Sequence, residues 1–357
     1  MTTPRAPRLS AAMIAEFRSV ATTGLFLLAV FYTLHLGQDF FLPIVLALVL
    51  SLLLRPLVRG LQRLRIPASA GALLLVISLI GGTGAAVYQL WEPAADWVAR
   101  APQDLKRLDT RLRRLLRSVE QVSQTAAQVD QITAVGGSDT PQVELKRPSL
   151  SQVVLGSAWH VLARGLIVLV LLYFFLASGD QFLKKLPRIL PAEEAEQVLA
   201  SVAETERQIS TYLLSVSLIN LGLGALTALV VGLLGMPTPL LLGAVAAVLN
   251  FVPYLGPAVM ATLLAMVALL SFPEARQAIP APLAYLGLHT LEANFVTPHL
   301  LGRRLPLNPT AIFVGFLFWW WIWGVVGALL AVPLMVVIKV VCDRTEALAG
   351  VGELLDR

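Results

Sequence analysis

Apolar residues fall in long blocks rather than at scattered periodic positions. Val20 to Leu36, Phe40 to Leu57 and Ser69 to Leu90 form the first three blocks. Roughly 20 apolar residues in a helix span the hydrocarbon core of a bilayer, and tilt and flanking residues relax that length. Each block therefore predicts a transmembrane helix. Asp39 lies in a tight link between the first two, and Arg55, Arg59, Arg63 and Arg65 close the second. Gly81, Gly82 and Gly84 predict a helix-contact face on the third span, and Trp91 and Trp97 mark a membrane interface.

Residues 92–150 break this pattern with mixed charges and no long apolar run. Leu105, Leu108, Leu112, Leu115, Val119, Val122, Ala126 and Val129 recur at alternating steps of three and four. Such a seam predicts a coiled coil, with Leu105, Leu108, Leu112 and Leu115 as oligomer contacts. An amphipathic helix lying on its own protein or on lipid headgroups gives the same pattern, so both readings stand. Gly136, Gly137 and Ser138 end the segment as a loop.

A fourth span is predicted in Val153 to Ser178, with His160 and Arg164 near its outer end. Residues 180–208 are polar again, and Pro191 opens a helix whose first turns carry Glu193, Glu194 and Glu196. From Gln208 to Pro273 the chain has neither a charge nor a histidine. Thr211 to Gly235 supplies a fifth span there. The block from Leu240 to Ser271 is split by Asn250-Phe251-Val252-Pro253-Tyr254-Leu255-Gly256-Pro257, and prolines at that spacing exclude a regular helix. Gln277 to His299 is apolar apart from His289, Glu292 and Asn294, with Arg303 and Arg304 just beyond. Leu305 to Ile338 is broken by Trp319-Trp320-Trp321-Ile322-Trp323-Gly324 and by Pro333.

Composition excludes a cytosolic enzyme or a disordered chain. Of 357 residues, 57% are apolar and 14% charged, against about 25% charge in soluble domains. Mean hydropathy is +0.76. The net charge of +5 does not point to nucleic acid, because the basic residues cluster beside apolar runs as positive-inside anchors. The single cysteine, Cys342, excludes an intramolecular disulfide. Val20 onward reads as a retained first span rather than a signal peptide.

The basic clusters place the N-terminus, the 55–65 linker, the 184–188 cluster and the Lys339/Arg344 tail in the cytoplasm, and 92–150 outside. The simplest path makes 240–272 a re-entrant hairpin from outside, sends 277–299 inward, and makes 308–338 a second hairpin from inside. A conventional eight-span count is the rival. The expectation is an all-α polytopic membrane protein with two broken, re-entrant segments and an extracytoplasmic helical insertion. Its parts are residues 1–91, 92–152 and 153–357. On this map an impermeant thiol reagent outside the cell leaves Cys342 unlabelled.

Helix breaks at membrane depth require a protein-lined or watery cavity, because unpaired backbone groups are not tolerated in lipid. The candidate solute or ion pathway therefore comprises Asn250, Pro253, Tyr254, Gly256 and Pro257. It also takes in Glu292, Asn294 and Pro298, where Asn294-Phe295-Val296-Thr297-Pro298 echoes the first break. Glu292 is the sharpest candidate, since an acid in an apolar run costs about 2.5–3.5 kcal/mol on insertion scales. It reads as a proton carrier, a cation ligand or a solute hydrogen-bond partner. The structural alternative is a carboxyl protonated or paired with His289 or Arg303. His289 lies on the same helical face, as a coupling partner or a packing imidazole. The tryptophans read as interface anchors. No motif for a zinc protease, serine hydrolase, P-loop ATPase or metal cluster occurs, so no catalytic residue, metal or cofactor is expected.

These motifs resemble the autoinducer-2 exporter family of permease-like membrane proteins. The resemblance is carried by Asn250 through Pro257, Glu292-x-Asn294 with Pro298 and Gly302, and Leu307-Asn308-Pro309. It ends in Trp323-Gly324, Gly327 and Ala331-Val332-Pro333. It implies a multi-span inner-membrane transporter that assembles as a homo-oligomer, a pentamer. Some relatives export the quorum-sensing signal autoinducer-2, and others resemble sodium/proton antiporters. The family motif often has a glutamine shortly before the Glu292 equivalent; here the stretch reads His289-Thr290-Leu291.

The leading expectation is secondary export of a small polar solute, with Asn250, Glu292 and Asn294 as solute contacts. A cation/proton antiporter exchanging Na+ and H+ at Glu292 is the second. A non-transporting scaffold that recruits partners through the 100–132 helix is the third. The expected partners are the solute or ion, the lipid bilayer and further copies of the chain.

Overall fold

The computed structural model describes residues 11–124, 150–183, 192–301, 308–344 and 349–356. These form helices and turns, with no strand among the described residues. In chain order the helices are α1 (Ala11–Leu36), α2 (Gln38–Arg63), α3 (Ala68–Gln124), α4 (Leu150–Leu183), α5 (Ala192–Leu233), α6 (Pro239–Leu249) and α7 (Leu255–Ser271). They continue with α8 (Ala275–Ala278), α9 (Pro280–Leu291), a π-turn (Glu292–Val296), α10 (Thr297–Leu301), α11 (Pro309–Arg344) and α12 (Ala349–Leu355). The all-α polytopic architecture expected from the apolar blocks is the one found. Among the described residues, four helices are long and apolar enough to cross a membrane: 38–63, 68–111, 198–233 and 309–343.

The last of these does not run straight. Trp323 and Gly324 leave helical geometry, Gly324 at φ 59 and ψ −141, a region open in practice only to glycine. The chain reverses there. A Cβ on Gly315 would stand 2.7 Å from the sulfur of Met335, although a straight helix would hold these residues about 30 Å apart. One on Gly327 would collide with the Trp319 carbonyl. The limbs 309–322 and 325–344 therefore form an antiparallel hairpin with its tip at the tryptophans.

A second hairpin is made by α6 and α7, broken at Asn250–Tyr254 as the prolines require. Tyr254 takes φ 63 at the corner. Helix α6 returns along α5 at a close approach of small residues. A Cβ on Gly224 would meet Ala247 Cβ at 2.6 Å, and one on Gly243 would meet Ala228 Cβ at the same distance. Close backbone packing of this kind holds helices together in lipid, where apolar burial gives no drive.

Four buried clusters join the elements. One unites α5, α6, α7 and α9 around Met260, Leu264 and Tyr285. Another ties α2 and α5 to both limbs of the α11 hairpin. The third packs α2, α3 and α4 through Ala47, Ala72 and Leu172. The fourth seats Val252, at the α6–α7 break, against Trp319, Ile322 and Trp323. Helix α1 meets the hairpin tip: Trp323 Nε1 donates to the Leu34 carbonyl over 3.2 Å, and His35 stacks on Trp321 at 5.3 Å.

Several sequence expectations change. Helix α3 runs unbroken through the expected boundary at 91/92, and 152/153 lies inside α4. The polar helix after Pro191 and the fifth span are one element, α5. Gly81, Gly82 and Gly84 are exposed and make no helix contact among the described residues. Leu105 and Leu108 both border a groove against Leu263, Val267 and Leu270 of α7, Leu108 buried and Leu105 exposed. The Arg111 guanidinium donates to the Leu269 and Phe272 carbonyls at the end of α7, so this part of α3 lies on its own protein. The side chains of Leu112 and Leu115, and the loop 136–138, lie outside the described residues.

The basic clusters do more than anchor. Arg55 and Arg59 both reach the buried Glu206 carboxylate, at 2.9 and 2.6 Å, joining α2 to α5. Lys339 is buried, 2.7 Å from Asp343 and 3.4 Å from Asp356. Arg164 pairs with Asp39 at 2.7 Å.

Candidate functional site

A cavity of about 530 Å³ lies where α5, the α6–α7 break, the α9–α10 helical segment and the return limb of α11 meet. Its apolar wall includes Leu213, Val216, Ile219, Val332 and Pro333. Its polar groups are Asn220, Asn250, His289, Glu292 and Thr297, with Tyr212 and Tyr254 at the margins.

The break supplies Asn250. It follows the last turn of α6, and the prolines keep the next residues from closing a helix over it. Its Nδ2 donates to Asn220 Oδ1 over 2.9 Å, and it shares the cavity lining with Glu292. Asn220 is buried in the middle of α5, and its own Nδ2 has no protein partner among the described residues. A buried amide donor left unmatched costs about 1–3 kcal/mol, so a hydrogen-bonding solute or water is strongly favoured there.

Glu292 is positioned by helix geometry. In an α-helix a residue five positions on lies well round the axis from its predecessor. The wider π-turn brings Thr297 beneath Glu292, and the Thr297 hydroxyl donates to Glu292 Oε1. Such π-turns are frequent at functional sites. His289 Nδ1 stands 3.4 Å from Glu292 Oε2. Tyr285, fully buried, lies near-parallel to the His289 ring at 6.3 Å. Tyr285, His289 and Glu292 thus share one face of α9. The Glu292 carboxylate lines the cavity beside Thr297 and His289.

The cavity gathers Asn250, Pro253, Tyr254, Pro257, His289 and Glu292 from the sequence candidates. Gly256 is buried behind the corner, where a Cβ would strike the Leu249 carbonyl; it lets the break close and does not line the cavity. Asn294 and Pro298 are exposed and outside the lining. Asn294 Nδ2 donates to the Thr290 carbonyl over 2.8 Å. The Asn294–Pro298 stretch does not repeat the first break, because the helix passes through it by way of the π-turn. Arg303 lies outside the described residues. Asn220 and Thr297 were not among the candidates. The signal for Asn220 was a lone carboxamide between Gln208 and Asn250 in an otherwise apolar block.

The AI-2E family transporter model matches residues 25–347. The chain belongs to the AI-2E transporter family. It is 23% identical over 329 residues to the AI-2 transport protein TqsA of Escherichia coli strain K12, covering 90% of this chain and 91% of that protein. It is 24% identical over 322 residues to YhhT of the same strain, a candidate transport protein, covering 90% and 89%. A match to a candidate transport protein of Borreliella burgdorferi, 26% identical over 190 residues, spans 53% of this chain and 52% of that one. Family membership and the long apolar helices make this a membrane transporter.

Proposed function

We propose that this transporter exports a small polar solute, of the kind moved by the AI-2 transport protein it resembles, and that the solute binds in the cavity at Asn220, Asn250 and Glu292. The supporting observation is the convergence of two carboxamides, a carboxylate and a hydroxyl on one cavity between apolar walls. Binding sites have this form: an apolar container with a few placed polar groups that fix orientation. Discontinuous helices meeting at such a site are the usual arrangement in secondary transporters. The carboxamides offer NH2 donors to a solute oxygen, and Glu292 accepts from a solute hydroxyl.

The test is flux in reconstituted vesicles against a panel of small polar metabolites under imposed sodium and proton gradients. Glu292→Gln is expected to abolish flux while the protein still inserts and melts normally. Wild-type flux in that variant removes Glu292 from the transport step. The pairing of Glu292 with His289 also supports exchange of a cation for a proton at the same site. A sodium-dependent pH change in the vesicles marks that reading, and its absence together with solute flux rejects it.

A further inference from the structure

A second cavity, of about 420 Å³, adjoins the first and is lined by polar residues of α5 together with Leu300 and Leu301 of α10. Tyr212 and Leu301 border both cavities. The order of residues along the two elements is inverted. On α5 the second cavity takes Glu204, Arg207, Gln208, Thr211 and Ser215, and the first takes Leu213, Val216 and Asn220, the two linings overlapping in the turn around Tyr212. On the facing helix Leu300 belongs to the second cavity, while Thr297, Glu292 and His289 belong to the first. The helices therefore run antiparallel, with Tyr212 opposite Leu301 at the level where one cavity gives way to the other.

The second cavity has a polar floor with its charges already matched. The Glu204 carboxylate accepts from Arg207 Nε over 3.0 Å and from Gln208 Nε2 over 2.9 Å. Thr211 Oγ1 donates to the Arg207 carbonyl over 2.8 Å. Between Glu204 and Arg207 on α5, the buried Glu206 receives both arginines from α2. Among the described residues its lining charges, Glu204 and Arg207, are paired with each other, so such a compartment holds a polar solute loosely. The arginines beside it mark this end of α5 as the cytoplasmic end on the positive-inside pattern.

We propose that this second cavity is the cytoplasmic vestibule for the transported polar solute, and that Tyr212 and Leu301 form the gate between it and the inner cavity. The assignment rests on the transport reading of the inner cavity. Because Tyr212 and Leu301 line both cavities, a bulky phenol and an isobutyl group stand at the passage between them, and a rotamer change in either would widen it. Leu301 lies on the last turn of a short helix that follows the π-turn, and Tyr212 faces it from α5 beside the core cluster that joins α2, α5 and α11.

The test is thiol accessibility in Cys342→Ala protein in inside-out vesicles, with a membrane-impermeant maleimide as the probe. Gln208→Cys reports the vestibule and Val216→Cys the inner cavity. Gln208→Cys is expected to label readily from the cytoplasmic face. Val216→Cys is expected to label slowly with the gate intact and several-fold faster once Leu301→Ala is added. Tyr212→Leu serves as the second gate variant if Leu301→Ala does not fold. Fast labelling of Val216→Cys with both gate residues intact overturns the proposal. So does unchanged labelling in the gate variants, or labelling of Gln208→Cys only from the opposite face. Labelling needs no solute, so the gate is judged separately from the flux assay. A silent flux panel with the expected labelling pattern rejects the transport reading alone.

Discussion

Asn250 Nδ2 donates to Asn220 Oδ1 across 2.9 Å, tying the corner of the α6–α7 hairpin to the middle of α5. The pair fixes one wall of the cavity and leaves the Asn220 amide without a protein acceptor. Replacing one member strands the other. Asn220→Leu is expected to lower stability by about 1–3 kcal/mol. The Asn220→Leu/Asn250→Leu double variant is expected to recover much of that loss, because both polar groups are then gone. Thermal melts in detergent give the cycle, and flux stays low in all three proteins. Additive losses in the melts contradict the pairing.

Glu206 is buried between two arginines. Removing the acid leaves both cations without it in a partly dry layer, which typically costs about 3–5 kcal/mol. Glu206→Gln is therefore expected to be the most damaging change of the three. Arg55→Gln should follow, since its side chain is 16% exposed, and Arg59→Gln, at 42% exposed, should cost least. Unfolding monitored by circular dichroism in detergent ranks them. A larger loss from Arg59→Gln than from Glu206→Gln refutes the ranking.

The reversal at Gly324 requires a conformation closed to other residues. Gly324→Ala is expected to cost about 1–3 kcal/mol and to loosen the hairpin tip. The tryptophans there pack with α1 and with Val252 at the first break, so tryptophan fluorescence should shift together with the melt. An unchanged spectrum and melt would show that the chain does not reverse at this residue.

Cys342 is 5% exposed, so its labelling reports burial before it reports sidedness. Helix α12 packs over this point, and a Cβ on Gly352 would stand 3.5 Å from the Cys342 carbonyl carbon. The full chain is expected to resist maleimide from either face. Truncation at 348 is expected to expose the thiol to reagent. Fast labelling of the intact, folded protein contradicts the burial.

The candidate site was legible where residue type alone carries a large energy. An acid in an apolar helix and prolines four apart cannot be neutral, and both proved to border the cavity. The echo of the first break at Asn294–Pro298 misled, because similar residues there are accommodated within a helix by the π-turn. Thr297 joined the site through that same turn, which sequence spacing does not encode. Leu108 shows the opposite case: its heptad position was readable, but whether the stripe met a partner or its own chain depended on where α7 ends.

The chain itself settled the solvent. Blocks of apolar residues with basic edges dictate membrane helices, and Pro253, Pro257 and Gly324 dictate where those helices must stop, because these are local constraints of hydration and backbone sterics. Which stops face one another was decided only by packing. Asn220 meeting Asn250, Glu206 receiving arginines from α2, and Tyr212 standing opposite Leu301 are products of close approach between segments distant in sequence, and no local rule reaches that far.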